Sequence, residues 1–461
     1  MSVSNGFDVL SLQDHFSGPL LLPDHPDYDT VRQLWNAMAD KRPALIARCQ
    51  NEEDIQAALA FARSHDLEIA LRGAGHNIAG NASCNGGMLI DLSLMNQVHV
   101  DPATRRVQAE PGATLGQLDE ATQAHGLAVP VGINSTTGIA GLTLGGGFGW
   151  LTRRFGMTVD ALKEARVVGV DGELRSASET ENAELFWALR GGGGNFGVVS
   201  RFEFEAYPVG PEVFGGLIVF PFEQARAVLH QYKDWILTTP ETFNAWVVIR
   251  HAPPLPFLDV SVHGTKVVVM AVCHSGDLAE GEALAQTLHR FGEPVGAHLG
   301  PMPFVQWQQA FDPLLTEGAR NYWKTHNFTE LGEEMLEVAL DYGDTMPGLE
   351  CEVFFAVIAG KANAIPSSAT AWGARDARFV MNVHARWQEA SDDESHIDWA
   401  RALFRATAAY ASAGAYVNFM TEEEGGRVED AYQENFARLK QVKTRYDPDN
   451  LLHLNQNIKP D

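Results

Sequence analysis

The residues best suited to chemistry in this chain sit in and around three glycine clusters. Arg72-Gly73-Ala74-Gly75-His76-Asn77 follows a short apolar run at residues 68–71, and the turn continues to Gly80. Successive backbone N–H groups in such a turn can form a nest for phosphate oxygens, and glycine lets the chain approach closely. Taken alone, His76 reads as a turn or surface histidine. The second cluster, GIAGLTLGGGFGW at residues 138–150, interleaves glycine with Ile139, Leu142, Leu144, Phe148 and Trp150. Flexible loops rarely do this, and the pattern suggests backbone packed against a large flat ligand with aromatics closing its edges. The third, Gly192-Gly193-Gly194-Asn195-Phe196-Gly197, matches GxGxxG literally. A dinucleotide fingerprint must follow a strand and open a helix. Here helical ENAELFWALR comes before it and strand-like VVSRFEFEAY after it, so the fingerprint reading fails on context.

Two further places offer polar side chains. Residues 377–387 alternate cleanly, with Ala377, Phe379, Met381, Val383, Ala385 and Trp387 on one face. Arg378, Asn382, His384 and Arg386 fall on the other, which predicts a half-buried antiparallel strand. In AYVNF at residues 415–419, Tyr416 and Asn418 would share a strand face. A structural reading stands beside each: Tyr416 as a buried tyrosine with a bonded hydroxyl, His384 as a polar residue on a solvated face. Tyr322, Trp323 and Lys324 are weaker candidates, since such an aromatic pair is more often core. Residues 422–424 and 391–394 read as solvated loops.

The elements that must position these groups are legible in outline. Residues 51–65 and 115–125 have helical patterns, while residues 88–92 and 107–109 read as short strands. Residues 165–170 running into Asp171-Gly172 signal a hairpin. Beyond about Gly216 the elements lengthen: strands at 213–220, 265–273 and 351–359, and an amphipathic helix at 223–237. The expected class is α+β with two lobes, in which helices cover one face of an antiparallel sheet and leave a polar face for a ligand. Composition narrows the function. Asp plus Glu number 59 against 34 Lys plus Arg, a formal charge of −25. That charge repels phosphate backbones and anionic membranes, so neither nucleic acid nor membrane is an expected partner. No apolar run approaches the roughly 20 residues of a membrane span. The opening MSVSNGFDVL has no basic region or continuous apolar stretch, and Cys49, Cys84, Cys273 and Cys351 form no CxxC pair. A cytoplasmic enzyme without a structural zinc is the expectation.

Together these blocks resemble the FAD-linked oxidases of the berberine bridge enzyme family, within the vanillyl-alcohol oxidase superfamily. The order is RGAGHNIAG, MLIDLSLMNQVHVD, VQAEPGATLGQL, GIAGLTLGGGFGWLTRRFGMTVD, ELFWALRGGGGNFGVV, and near the end AYVNF and RLKQVKTRYDPDNLLHLNQNIKP. The resemblance covers residues 35–208 and 410–461, with NYWK at 321–324 as the landmark between. It implies a two-subdomain PCMH-type FAD-binding domain over residues 1–208 with a core at about 38–208. A substrate domain would follow over 209–410, and residues 411–461 would return to the FAD domain. The implied cofactor contacts are Arg72, Gly73, Ala74, Gly75, His76, Asn77 and Gly80 in the first loop. Gly132, Gly138, Gly141, Thr143, Gly145, Gly146, Gly147, Gly149 and Asp160 follow in the second region. Gly197, Val198, Asn418, Asn455 and Asn457 complete the set.

The family's histidine bonded to the flavin 8α-methyl corresponds to His76. Some members add a cysteine link in a slot that holds Asn134 here, so a single covalent link is expected. The implied activity is oxidation of a small organic alcohol or amine, with O2 as acceptor and H2O2 as product. A dehydrogenase with another acceptor, or a silent FAD-binding scaffold, are the alternatives. The proton acceptor would come from Tyr416, with His384 and Asn382 as further candidate catalytic residues. Histidine titrates in the useful range, whereas a phenol must be depressed from about 10. Family members commonly carry a second tyrosine where this chain has Phe419.

Overall fold

The first long helix begins one residue inside the helical pattern at 51–65, because Asn51 caps it. Asn51 accepts the N–H of Asp54 (2.8 Å), and Glu52–Ser64 follows with its acidic residues in the first turn. Acidic groups there complement the helix dipole. The computed structural model describes residues 9–412 and 414–461. The first eight residues of the opening segment, in which no secretory signal is expected, lie outside them. Two small sheets build the N-terminal lobe. One is four-stranded, and its strands Leu45–Arg48, Met88–Asp91 and Ile69–Arg72 are parallel neighbours. The other is five-stranded and antiparallel, with Val198–Glu205 at its centre. The Asp171-Gly172 hairpin joins Leu162–Val168 to Leu174–Ser178, and Gly172 takes a left-handed φ of 84° that a side chain would strain.

A seven-stranded antiparallel sheet forms the second lobe, running from Gly296–Pro303 at one edge to Arg320–Phe328 at the other. Helices Ala225–Thr238, Glu333–Gly343 and Asp393–Thr407 pack against it and against one another. The architecture is α+β, as the alternations predict. The strand Phe379–Trp387 corrects one expectation: it is buried at every residue and not half-solvated. The helix Asp393–Thr407 packs on this strand, and on its polar side His384 is held by Glu352 and Asn321 and Arg386 by Glu350 and Thr316. Residues 391–394 and 422–424 are also not simply solvated. Asp393 accepts hydrogen bonds from Arg320 and from Trp387 Nε1 (2.8 Å). Glu424 is buried against Lys324 (3.1 Å), while Glu423 pairs with Lys324 (2.8 Å) and bonds Tyr322 and Arg401. Among the described residues no helix is long and apolar enough to cross a membrane.

The end of the chain returns to the N-terminal lobe. Lys443, on the helix Phe436–Tyr446, is fully buried and spends its three donors on Asn195 O (2.9 Å), Leu452 O (2.9 Å) and Asp447 Oδ2 (2.6 Å). A buried ammonium is tolerated because every proton has an acceptor. The GxGxxG segment is thereby held by the C-terminal region. The helix Ala183–Leu189 precedes it and the strand Val198–Glu205 follows, the reverse of a dinucleotide turn.

A second buried link ties the lobes less comfortably. Asp119, on the helix Leu115–Gln123, has among the described residues a single hydrogen-bond partner for its carboxylate, Gln308 Nε2 (3.0 Å), which also donates to Gly132 O (3.0 Å). Burial pushes the Asp119 carboxyl up to about 7. A folded-state pKa raised above the unfolded value means that stability is lost as pH rises between the two, by about 1.4 kcal/mol per pH unit. Asp119→Asn, which keeps the acceptor without the charge, should therefore raise Tm over wild type. The gap should widen from pH 5 to pH 7 and then level off. Thermal melts across that range check this; a gap independent of pH would contradict it.

Candidate active site

A cavity of about 470 Å³ lies between the glycine loops and the polar face of the seven-stranded sheet. Its floor is largely backbone. Arg72 fixes the entry to the first loop by gripping Asp91 with two hydrogen bonds, Nε to Oδ1 (3.1 Å) and Nη2 to Oδ2 (2.7 Å). Burial opposes ionisation of Asp91, but Arg72 outweighs it and holds the carboxyl below its usual range. Beyond Arg72, the backbone N–H groups of residues 73–77 donate to no protein atom among the described residues. A run of free donors facing a cavity is a nest for an anionic ligand such as a pyrophosphate. Gly73 packs so closely on Pro111 that a Cβ would stand 2.7 Å from its carbonyl oxygen. At Gly141 and Gly194 a Cβ would meet no protein atom within 4 Å, so both present bare backbone to open space.

The cavity also reaches Ala74, Gly75, His76, Asn77, Gly132 and Gly138 in the first two loops. From the third loop and the C-terminal region it reaches Gly197, Val198, Asn418 and Asn455. Asn455 donates to Gly194 O (3.1 Å) and leaves its buried Oδ1 without a partner, an acceptor available to a ligand. The remaining expected contacts do not line it. Gly80 packs on Ala39, Gly145 on the Asn418 amide, Gly146 near Trp372, Gly147 on Thr158 and Gly149 on Val131 O. These glycines serve close packing inside the lobe. Thr143 is buried without a hydroxyl partner, and Asn457 also lies away from the cavity. Asp160 is committed elsewhere, accepting two hydrogen bonds from Arg375 (2.7 and 2.9 Å).

His76 stands at one side of the cavity. Trp35 stacks on its ring (5.1 Å, 21°), and Nε2 lies 3.0 Å from Thr136 Oγ1. Burial pushes its pKa down to about 4, so the imidazole is neutral at neutral pH. Facing the floor, Glu352 places Oε2 2.7 Å from Arg250 Nη1 and Oε1 3.2 Å from His384 Nδ1. Asn321 donates its amide to Ala319 O (2.9 Å), which turns its Oδ1 toward His384 Nε2 (3.1 Å). Nε2 therefore carries a proton. Burial opposes the charge on Glu352, but Arg250 outweighs it, and its pKa lies below the usual carboxylate value. Burial lowers His384 against the pull of Glu352.

Tyr416 and Asn418 come together, but not on a strand: Val417–Phe419 is a 3₁₀ turn. Asn418 Nδ2 donates to the Tyr416 hydroxyl (3.1 Å) and to Leu142 O (3.1 Å). Burial pushes the Tyr416 phenol up to about 12, the wrong direction for a base. Asn382 does not line the cavity, and both of its buried amide atoms lack partners. Sequence reasoning missed Glu352, Arg250, Trp246 and Phe354, all of which line the sheet side. Glu352 opens a strand that reads as continuously apolar, and a lone carboxylate there gives no periodic signal.

Comparisons with known proteins give the family and the fold. The family described as FAD binding domain matches residues 43–178, and the one described as berberine and berberine like matches residues 415–459. An FAD-linked oxidoreductase of Dictyostelium discoideum is 30% identical over 432 residues, covering 93% of this chain and 92% of that protein. The solved structure of 6-hydroxy-D-nicotine oxidase from Arthrobacter nicotinovorans superposes with a TM-score of 0.85 at 26% identity, covering 97% and 98%. Glucooligosaccharide oxidase from Acremonium strictum, described with a 6-S-cysteinyl, 8α-N1-histidyl FAD, shares the fold with a TM-score of 0.86 at 22% identity, covering 98% of each chain. The fold is that of FAD-linked oxidoreductases, and the chain is one of them. The chain belongs to the berberine bridge enzyme-like family of the PCMH-type, vanillyl-alcohol oxidase superfamily.

The residues fit the cofactor: the free N–H run suits a pyrophosphate, and bare Gly141 and Gly194 leave room for flat rings. Gly141→Val should project into that space and lower bound flavin several-fold while leaving the apoprotein folded. Flavin absorbance per polypeptide, read beside circular dichroism, checks this; full flavin content in the variant would contradict it.

Proposed function

We propose that this protein is an oxidase that removes a hydride from a small organic alcohol or amine, passing it to FAD bonded covalently to His76, with O2 as final acceptor and H2O2 as product. The flavin supplies the two-electron acceptor when bound. The observation that carries the reading is Glu352, an ionised carboxylate held by Arg250 on the wall opposite the glycine cradle. Glu352 takes the proton from the substrate O–H or N–H. Arg250 keeps it ionised, and His384, oriented by Asn321 with Nε2 protonated, holds a bare Nδ1 beside Oε1 that shares the proton once Glu352 has taken it. Tyr416 stays protonated and orients Asn418 and the ligand edge. The rest of the sheet wall is apolar, including Leu217, Trp246, Val248, Val269 and Phe354. Such a wall excludes water and has few partners for multiple hydroxyls. It favours a compact apolar or aromatic alcohol or amine over an oligosaccharide.

The single link to His76 is supported by its neutral ring at the cavity and by the cysteines, all buried and none lining it. Functionally, residues 1–208 would bind FAD, 209–410 the substrate, and 411–461 would close the cofactor site.

Three measurements test this reading. After acid precipitation the yellow colour should stay with the wild-type polypeptide and be released from His76→Ala; flavin freed entirely from wild type would defeat the covalent link. Glu352→Gln should slow anaerobic flavin reduction by about 10² to 10⁴, the usual range for loss of a general base. Tyr416→Phe should cost far less. Because the Glu352 pKa is depressed, the wild-type rate should hold from pH 8 to about 5 and fall only as the carboxylate protonates below that. A large loss in Tyr416→Phe with little loss in Glu352→Gln would make Tyr416 the acceptor. Reduced enzyme that O2 fails to reoxidise would make the protein a dehydrogenase.

A further inference from the structure

A fixed chain of hydrogen bonds decides which nitrogen of His76 is free. The backbone N–H of Thr136 donates to Asn134 Oδ1 (3.0 Å). A main-chain donor cannot reverse its role, so this contact sets the orientation of the Asn134 amide, which is nearly fully buried. With Oδ1 facing it, the Thr136 hydroxyl also donates to Asn134 Oδ1 (2.7 Å). A hydroxyl has one proton, and here it is committed. Toward His76, 3.0 Å away, Thr136 Oγ1 can only accept. The proton of the neutral imidazole therefore sits on Nε2, and Nδ1 keeps its lone pair. Trp35, stacked on the ring, limits its rotation. No other hydrogen bond reaches the ring among the described residues.

We propose that Asn134 and Thr136 are positioning residues for self-catalysed flavin attachment, holding His76 with Nδ1 unprotonated and aimed at the 8α-methyl group. The inference rests on the covalent reading above and adds which residues prepare the nucleophile. Attachment joins Nδ1 to the 8α carbon. The methyl group gives up one proton and the imidazole the other, the latter leaving from Nε2 to solvent beside exposed Thr136. The isoalloxazine takes up two electrons and two protons, and O2 then removes them as H2O2. Asn134 thus stands where a second cysteine link occurs in some relatives of this family, but serves the first link instead.

The test is a time course. Protein expressed under riboflavin limitation is supplied with FAD, and acid-precipitable flavin and intact mass are followed. Thr136→Val, which keeps the shape and removes the acceptor, should bind FAD yet attach it at least about fivefold more slowly, the scale of one lost hydrogen bond. Thr136→Ser should attach it at the wild-type rate, a rescue that a purely structural role for the threonine methyl would not give. Asn134→Ala, which frees the hydroxyl proton to point at Nε2, should also be slow. Peptide mapping should place the flavin on His76, and a crystal structure of the flavinylated protein should show the bond at Nδ1. Wild-type attachment rates in Thr136→Val, within about twofold, would overturn the proposal while leaving the covalent reading intact. Attachment through Nε2 would do the same. Wild-type protein that never attaches flavin would overturn the covalent reading itself, and this inference with it.

Discussion

The site exists only because two lobes are locked together by charges buried in each other. Arg375, from the sheet lobe, grips Asp160 of the N-terminal lobe with both side chains nearly inaccessible. Asp160 in turn accepts the N–H of Met157 (2.8 Å), fixing the turn whose Thr158 presses on Gly147. In the other direction Arg153, from the same glycine-rich segment, enters the sheet lobe. It donates to Ala359 O (2.8 Å), Thr239 Oγ1 (2.8 Å) and Thr239 O (3.1 Å), and to Phe243 O. Removing one partner from a buried pair of this kind typically costs about 3–5 kcal/mol. The reciprocal insertion specifies one docking geometry, and that geometry sets the glycine floor opposite the Glu352 wall.

This arrangement separates two tasks. The floor is backbone, whose dipoles are fixed by the fold and do not change with pH. The wall carries the titratable groups, and burial pulls their charges toward neutrality while neighbours restore them selectively. Glu352 keeps its charge because Arg250 is within hydrogen-bonding distance, whereas Tyr416 has only neutral partners and stays protonated. An ionised acceptor and an un-ionised phenol can thus coexist in one cavity, which is the condition for assigning them different roles.

Much of this is legible in the amino-acid sequence. The glycine clusters, their order, and the failure of the GxGxxG run as a dinucleotide turn all follow from local pattern, and the helices Glu52–Ser64 and Leu115–Gln123 fall within the segments of helical spacing at 51–65 and 115–125. What is not legible depends on contacts distant in sequence. Asp160 sits in a motif that implies a cofactor contact, yet its partner Arg375 is 215 residues away. Gly145 and Gly147 look like cradle residues, and only the packing of Asn418 and Thr158 shows that they are spacers. The strand Phe379–Trp387 has a clean polar face, but alternation cannot say whether water or other side chains cover that face. Glu352 escapes notice because one carboxylate at the start of an apolar strand has no pattern to break.

All of this chemistry requires a flavin seated between the glycine floor and the Glu352 wall. A crystal structure of the flavin-loaded protein with a bound substrate analogue tests this most directly. It should show the pyrophosphate on the backbone of residues 73–77, continuous density from His76 into the ring system, and the analogue's hydroxyl or amine within hydrogen-bonding reach of Glu352. A flavin whose ring lies away from Gly141 and Gly194, or an analogue that turns its polar group from Glu352, would contradict it.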